Sequence, residues 1–244
     1  MRLSLKPESR PELRLRTVTN GIFKQLIMRH FKYTALILLA VIISQELSMG
    51  QDSDYRPGLF FREDWKEIPA EIPLNQRHVN NPSLIVGLYG PGKDSIKKSH
   101  HDSPVDDPYY IWSGLCTANW AVTLKHKDHQ VDLSGYGKIK WRSKQYGFRE
   151  LHLLIKLADG TWLVSKEGDA ASSDWRISAF NLADIHWYGI DMNTITEQKP
   201  VLNPDLSKVE EIGFTDLMAG GKSVACSRLD WIEVYGYLVR EKSN

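Results

Sequence analysis

Cysteine is scarce in this chain, with two residues in 244, Cys116 and Cys226. That count excludes a small disulfide-stapled scaffold and a cysteine-rich zinc module. Long apolar runs are also few. The one from Tyr33 to Ile43 has about eleven residues, against the roughly twenty that a membrane-spanning helix needs. After residue 50 there is no repeat, no low-complexity tract and no helix-period segment of any length. A Gly-x-Ser-x-Gly elbow is missing, which removes the usual support for a serine hydrolase.

What the N-terminus does contain reads as an export signal. Arg29, His30 and Lys32 precede the apolar run, and Ser48-Met-Gly50 places small residues where a signal peptidase reads. Residues 1–50 are therefore expected to be a lead and cleaved signal, with Met28 the expected natural start. The expected location is the periplasm or the medium, with no stable membrane anchor. Residues 51–244 are expected to form one domain with an irregular N-terminal arm. In an exported protein Cys116 and Cys226 could pair, closing a loop worth on the order of 4 kcal/mol, or remain as two buried thiols. The sequence leaves both readings open.

The whole chain has a formal net charge of +1. Its first fifty residues hold eight Lys/Arg and three Asp/Glu, so the remainder carries 23 basic against 27 acidic side chains, a net charge near −4. This argues against a nucleic-acid partner, since phosphate binding requires a basic field, although local basic clusters survive.

Short strands and turns dominate from residue 84 on. Leu84 to Tyr89 reads as a buried strand ended by Gly90-Pro91-Gly92. Leu151, Leu153, Ile155 and Leu157 alternate with His152, Leu154 and Lys156, the period-two mark of a strand, and Asp159-Gly160 predicts a hairpin into Trp162. Near the C-terminus Ile232, Val234 and Leu238 are assigned to one face and Trp231, Glu233, Tyr235 and Tyr237 to the other. This spacing of turns predicts an all-β architecture, either closed or double-sheet.

Asp132-Leu-Ser-Gly135-Tyr, Asp174-Trp175, Val209 through Phe214 and Asp230-Trp231-Ile232 occur in an order that resembles family 11 carbohydrate-binding modules and the complex I intermediate-associated family. The resemblance spans residues 131–236. It implies a galactose-binding-domain-like jelly-roll β-sandwich and a sugar ligand. Without a residue-by-residue match, the chain also resembles the secreted dehydratases of ulvan-degrading bacterial systems.

Three groups of residues could carry chemistry. Lys138, Lys140, Arg142 and Lys144 alternate along one strand and so share a face. With Arg149, His152 and Lys156 on the expected neighbouring strand, they suit a uronate or sulfated sugar, although a solvated outer face reads equally well. The long polar segment Lys93 to Pro108 carries His100, His101, Asp102, Asp106 and Asp107 ahead of Tyr109 and Tyr110. Imidazole and phenol are proton-transfer groups. Aromatic stacking candidates are Tyr109, Trp112 and Trp141. No metal site is expected. A structural calcium ion is the one cofactor that the loop carboxylates would suit, and their spacing matches no calcium loop. Gly87 to Asp94 nearly spells a phosphate loop, but Asp94 stands where its hydroxyl should be. His126 and His129 read as a polar turn.

The function expected from the sequence is elimination on acidic, uronic-acid-containing oligosaccharides, as a dehydratase or lyase. His100 or His101 would be the base, Tyr110 the acid, Lys140 and Arg142 the carboxylate clamp and His152 a reserve. The alternative is a non-catalytic carbohydrate-binding module.

Overall fold

A computed structural model describes residues 56–218 and 224–239. The expected signal segment and start lie outside the described residues. Residues 56–244 make up one compact unit. Among the described residues no helix is long and apolar enough to cross a membrane.

The first eight strands are β1 (Leu59–Glu63), β2 (Leu84–Tyr89), β3 (Lys97–Ser99), β4 (Tyr110–Trp112), β5 (Ala121–His126), β6 (Val131–Asp132), β7 (Lys138–Ser143) and β8 (Leu151–Leu157). They are followed by β9 (Trp162–Asp169), β10 (Arg176–Asn181), β11 (Trp187–Asp191), β12 (Thr196–Val201), β13 (Val209–Thr215), β14 (Arg228–Tyr235) and β15 (Tyr237–Leu238). Among the described residues only short 3-10 turns interrupt them. The strands form two antiparallel sheets. The smaller runs β10-β7-β14-β4-β3, with β1 also on β14, and the larger runs β12-β11-β9-β8-β13-β5-β2, with β6 and β15 at its side. This is the expected all-β sandwich of jelly-roll type.

The core lies between the sheets and is built from the alternate residues of each strand. On β7, Ile139, Trp141 and Ser143 are buried, while Lys138, Lys140 and Arg142 point outward. On β14, Leu229, Ile232 and Val234 are buried and Trp231, Glu233 and Tyr235 lie on the outer side. Period two therefore sorts each strand into a core face and a working face. The arm that reads as irregular contributes β1, anchored by the buried Glu63, whose carboxylate accepts the backbone N–H groups of Trp65, Asn80 and Asn81 at 2.7–2.9 Å.

Several expectations of local structure change in the fold. The β8–β9 hairpin forms as read, but β8 is not a neighbour of β7, because the two strands belong to different sheets. Chain adjacency was the only ground for pairing them, and a jelly roll crosses between sheets there. The strand Leu84–Tyr89 sits at a sheet edge, paired to β5 alone, and is only half buried. The polar segment after Gly92 contains β3, whose Lys98 is fully buried. Leu238 leaves the face of Ile232 and Val234, since the chain turns at Gly236 into β15, where Leu238 is 49% exposed. Cys116 and Cys226 are both free and buried.

Candidate functional site

The outer face of the smaller sheet is a grid of cations against aromatic and acidic groups. In register, Arg142 of β7 lies opposite Trp231 of β14, Lys140 opposite Glu233 and Lys138 opposite Tyr235. The cations lean over the rings. Arg62 is 4.4 Å from the Trp231 ring, Lys138 and Lys140 are each 5.2 Å from Tyr235, and Arg142 is 5.4 Å from Trp175. Acids balance them, with Arg62 pairing to Asp64 at 2.6 Å and Glu233 at 2.5 Å, and Arg142 to Asp230 at 2.6 Å.

Residues of the 100–109 segment and of this face line an open cleft of about 870 Å³. His100 and Tyr109 of that segment and Arg142, Asp230, Trp231 and Arg62 of the sheet line it together. The His100 and Tyr109 rings stack at 4.0 Å with 12° between their planes. Lys98 reaches the same Tyr109 ring at 3.9 Å and donates to the Ile68 carbonyl at 2.6 Å. Burial pulls its ammonium down to about 8. His100 Nδ1 is buried and has no hydrogen-bond partner among the described residues.

A second groove, of about 490 Å³, adjoins the first, and Asp107 lines both. It holds His101, Tyr110, Lys144, Trp175 and Arg228. His101 Nδ1 lies 2.9 Å from the Asp107 carboxylate and 3.1 Å from the Tyr110 hydroxyl. Its ring is 63% exposed, so the second ring nitrogen can meet a solute. Burial raises the Tyr110 phenol above its usual range, and nearby Asp107 adds to the shift, so Tyr110 is held in its proton-donating form at neutral pH. Together these groups offer saccharide hydroxyls both donors and acceptors, and they offer a reacting centre one exposed imidazole beside one protonated phenol.

The sequence-derived residues divide clearly. His100, Tyr109 and Arg142 meet in the first cleft, and His101 and Tyr110 meet in the second. The imidazole pair and the basic row thus share one side of the molecule. Lys140 faces outward beside Arg142 but lines neither cleft, so the structure does not bring the expected clamp pair together in one recess. Trp141 is no stacking platform, because it is wholly buried and donates its indole N–H to Asp169 at 2.9 Å. Arg149 is no ligand group either. It is buried against Asp216 at 3.2 Å, and burial pushes that carboxyl up to about 6 despite the nearby guanidinium. His152 belongs to the other sheet, where its Nδ1 lies 2.9 Å from the Ser165 carbonyl. Trp112 is half buried, with Lys97 over its ring at 5.6 Å. The pleat reveals which way a side chain points, but not which sheet its strand joins.

Sequence reading missed Arg62, Asp230, Trp231, Trp175 and Arg228 as site residues. The Asp174-Trp175 and Asp230-Trp231 pairs served as fold signals, and their placement beside polar loops was the available hint.

The outer face of the larger sheet also gathers reactive groups, but they are occupied with one another. Glu211 accepts from Thr123 at 2.7 Å, Tyr89 at 3.0 Å and Lys156 at 3.1 Å, leaving its side chain 8% exposed. Tyr89 of β2 and Trp162 of β9 meet edge-on at 5.2 Å, although four strand spacings, roughly 19 Å on a flat sheet, separate their strands. The sheet curls until these rings close over the Glu211 cluster. Ile195 and Leu154 fill the rest as a small second core. Residues of the larger sheet line open recesses too, one of about 420 Å³ with Lys166, His186, Tyr188 and Asp205 and one of about 520 Å³ with Lys125, His126, Asp128 and Glu210, but His100, His101, Tyr109, Tyr110 and Arg142 gather at those of the smaller sheet.

No family model matches the chain, and no curated protein sequence matches it. Among solved structures it is similar to the family 11 carbohydrate-binding module of the cellulosomal cellulase Lic26A-Cel5E of Clostridium thermocellum, with a TM-score of 0.43, 12% identity, and 76% of this chain and 99% of that one covered. A family 11 module from the same organism, in complex with a β-1,3-1,4-mixed-linked tetrasaccharide, gives 0.42 and 13% identity over 72% of this chain and 100% of the other. A family 29 carbohydrate-binding module from Piromyces equi gives 0.39 and 14% over 72% and 91%. The jelly-roll arrangement resembles that of carbohydrate-binding modules, as the sequence motifs implied.

Proposed function

We propose that this protein binds a saccharide in the cleft between residues 100–109 and the outer face of the smaller sheet. One observation carries the reading. The stacked His100–Tyr109 pair and the Arg142–Asp230–Trp231 group line the same open recess from two separate parts of the chain. Carboxylates accept from sugar hydroxyls, guanidinium groups donate to sugar oxygens, and Trp231 supplies an apolar ring. Calorimetric titration with an oligosaccharide panel tests the reading. Binding by the native chain that Trp231→Ala and Arg142→Gln weaken about tenfold or more supports it. Binding that neither change affects refutes the placement.

The finer reading is elimination beside a sugar carboxylate, and the His101–Asp107–Tyr110 group favours it over binding alone. His101 would take the proton from the carbon next to the carboxylate. That C–H pair becomes the new carbon–carbon double bond, and the adjacent carbon–oxygen bond breaks. Tyr110 would protonate the departing oxygen. Incubation with uronic-acid oligosaccharides should produce the ultraviolet absorbance of a conjugated double bond, and His101→Ala should abolish it. Binding without that absorbance leaves a non-catalytic sugar-binding protein.

A further inference from the structure

The two recesses differ in charge. Arg62 and Arg142 are the cations lining the first cleft, against the carboxylates of Asp64, Glu67, Asp106, Asp107 and Asp230. Both guanidinium groups already pair with acids. An anion placed there would meet more negative than positive charge, so the basic row does not by itself create an anion site. The second groove reverses the balance, with Lys144 and Arg228 against Asp107 alone. Arg228 has no carboxylate within ion-pair distance among the described residues. Lys144 reaches only Asp174, at 3.5 Å, and that carboxylate is 82% exposed and competes with water. Ser173 adds a hydroxyl to the groove, Ser172 gives its O–H to the Asp174 carbonyl at 2.7 Å, and Trp175, under Arg142, lines the groove as well.

Resting on the saccharide reading above, we propose that the groove formed by Lys144, Arg228, Ser172 and Ser173 is the subsite for an anionic substituent of the saccharide, a carboxylate or a sulfate ester, while the uncharged part lies in the first cleft. A guanidinium and an ammonium beside the Ser173 hydroxyl match the planar carboxylate and the tetrahedral sulfate alike. The acidic first cleft rejects the same group, so one polarity step both selects a charged saccharide and sets the direction in which it lies. The charged group is then placed beside the exposed His101 ring.

Matched pairs of probes test the proposal. Trigalacturonate against its methyl ester forms the carboxylate arm, and carrageenan oligomers against their desulfated form make the sulfate arm. A charge-assisted contact predicts about tenfold or more preference for the charged member of at least one pair, and the arm that shows it identifies the anion. Lys144→Gln and the double variant Lys144→Gln/Arg228→Gln should erase that preference, weakening the charged member about tenfold or more beyond any loss for the uncharged one. A selenate soak should place the anomalous selenium signal between Lys144 and Arg228. Selenate bound without any preference between matched sugars would mean an adventitious ion only, and overturns the proposal. Equal loss for both members also overturns it, since the residues would then be merely structural. If the native chain binds neither member of either pair, while Trp231-dependent binding to other oligosaccharides persists, the subsite fails and the cleft stands. If no oligosaccharide binds at all, both fail.

Discussion

Replacing Asp169 by alanine should detach one sheet from the other. The carboxylate stands at the end of β9 in the larger sheet, yet its partners belong to the smaller one. It accepts from Trp141 Nε1 at 2.9 Å, Ser178 Oγ at 3.0 Å and Arg176 Nε at 2.7 Å, and also from Ser143 Oγ. Trp141 and Ser143 are wholly buried, so after the change their donors cannot turn to water. At about 1–3 kcal/mol for each stranded buried donor, these two predict a loss of about 4 kcal/mol. Arg176 is 42% exposed and can rehydrate, so it should add little. Asp169→Asn keeps an acceptor and the shape, and should cost roughly half as much. Guanidinium unfolding at neutral pH measures both. In a Trp141→Phe background, which lacks the indole donor, Asp169→Ala should cost about 1–2 kcal/mol less. A loss below about 1 kcal/mol in the native background, or full additivity with Trp141→Phe, would refute the view of Asp169 as a buried inter-sheet clasp.

Three further outcomes are expected. Lys98 titrates near 8 in the fold against an ordinary 10.5, so the unfolded chain holds the extra proton between those values. Stability should therefore rise with pH across that window by up to about 3 kcal/mol relative to Lys98→Met. Parallel stability curves for the two proteins would dismiss the buried ammonium as a cost. Gly213 lies on β13 between β5 and β8, where a Cβ would collide with the Val122 carbonyl, so Gly213→Ala should lower stability by about 3 kcal/mol or more in thermal unfolding. A melting temperature unchanged within a degree or two would contradict the close approach of those strands. Burial pushes the Cys116 thiol up to about 11, which leaves only about one thousandth of it as thiolate at pH 8. Mass spectrometry should find no iodoacetamide adduct in the native protein and two in urea without reductant. No adduct in urea would reveal a disulfide.

The sequence by itself determined the class of fold and the sidedness of its strands. Alternation on β7, β8 and β14 follows from the pleat, which is local, so it was legible one strand at a time. The count of short strands and turns implied a closed or double-sheet β architecture, and the family resemblance implied the sandwich. The closeness of His101, Asp107 and Tyr110 was legible as well, because they lie within ten residues of one another. What tertiary structure alone decided was which strands are neighbours. β7 and β8 are consecutive in the chain but sit in opposite sheets, and this separates His152 and Arg149 from the basic row. Trp141 passed from candidate platform to core by the same logic, since only the packed partner sheet shows which of two faces is dry. The cleft depends on Arg62 and Trp231, 169 residues apart, meeting across the β1–β14 pair. No local rule encodes that contact, because strand pairing is settled by burial of the whole core rather than by any single segment.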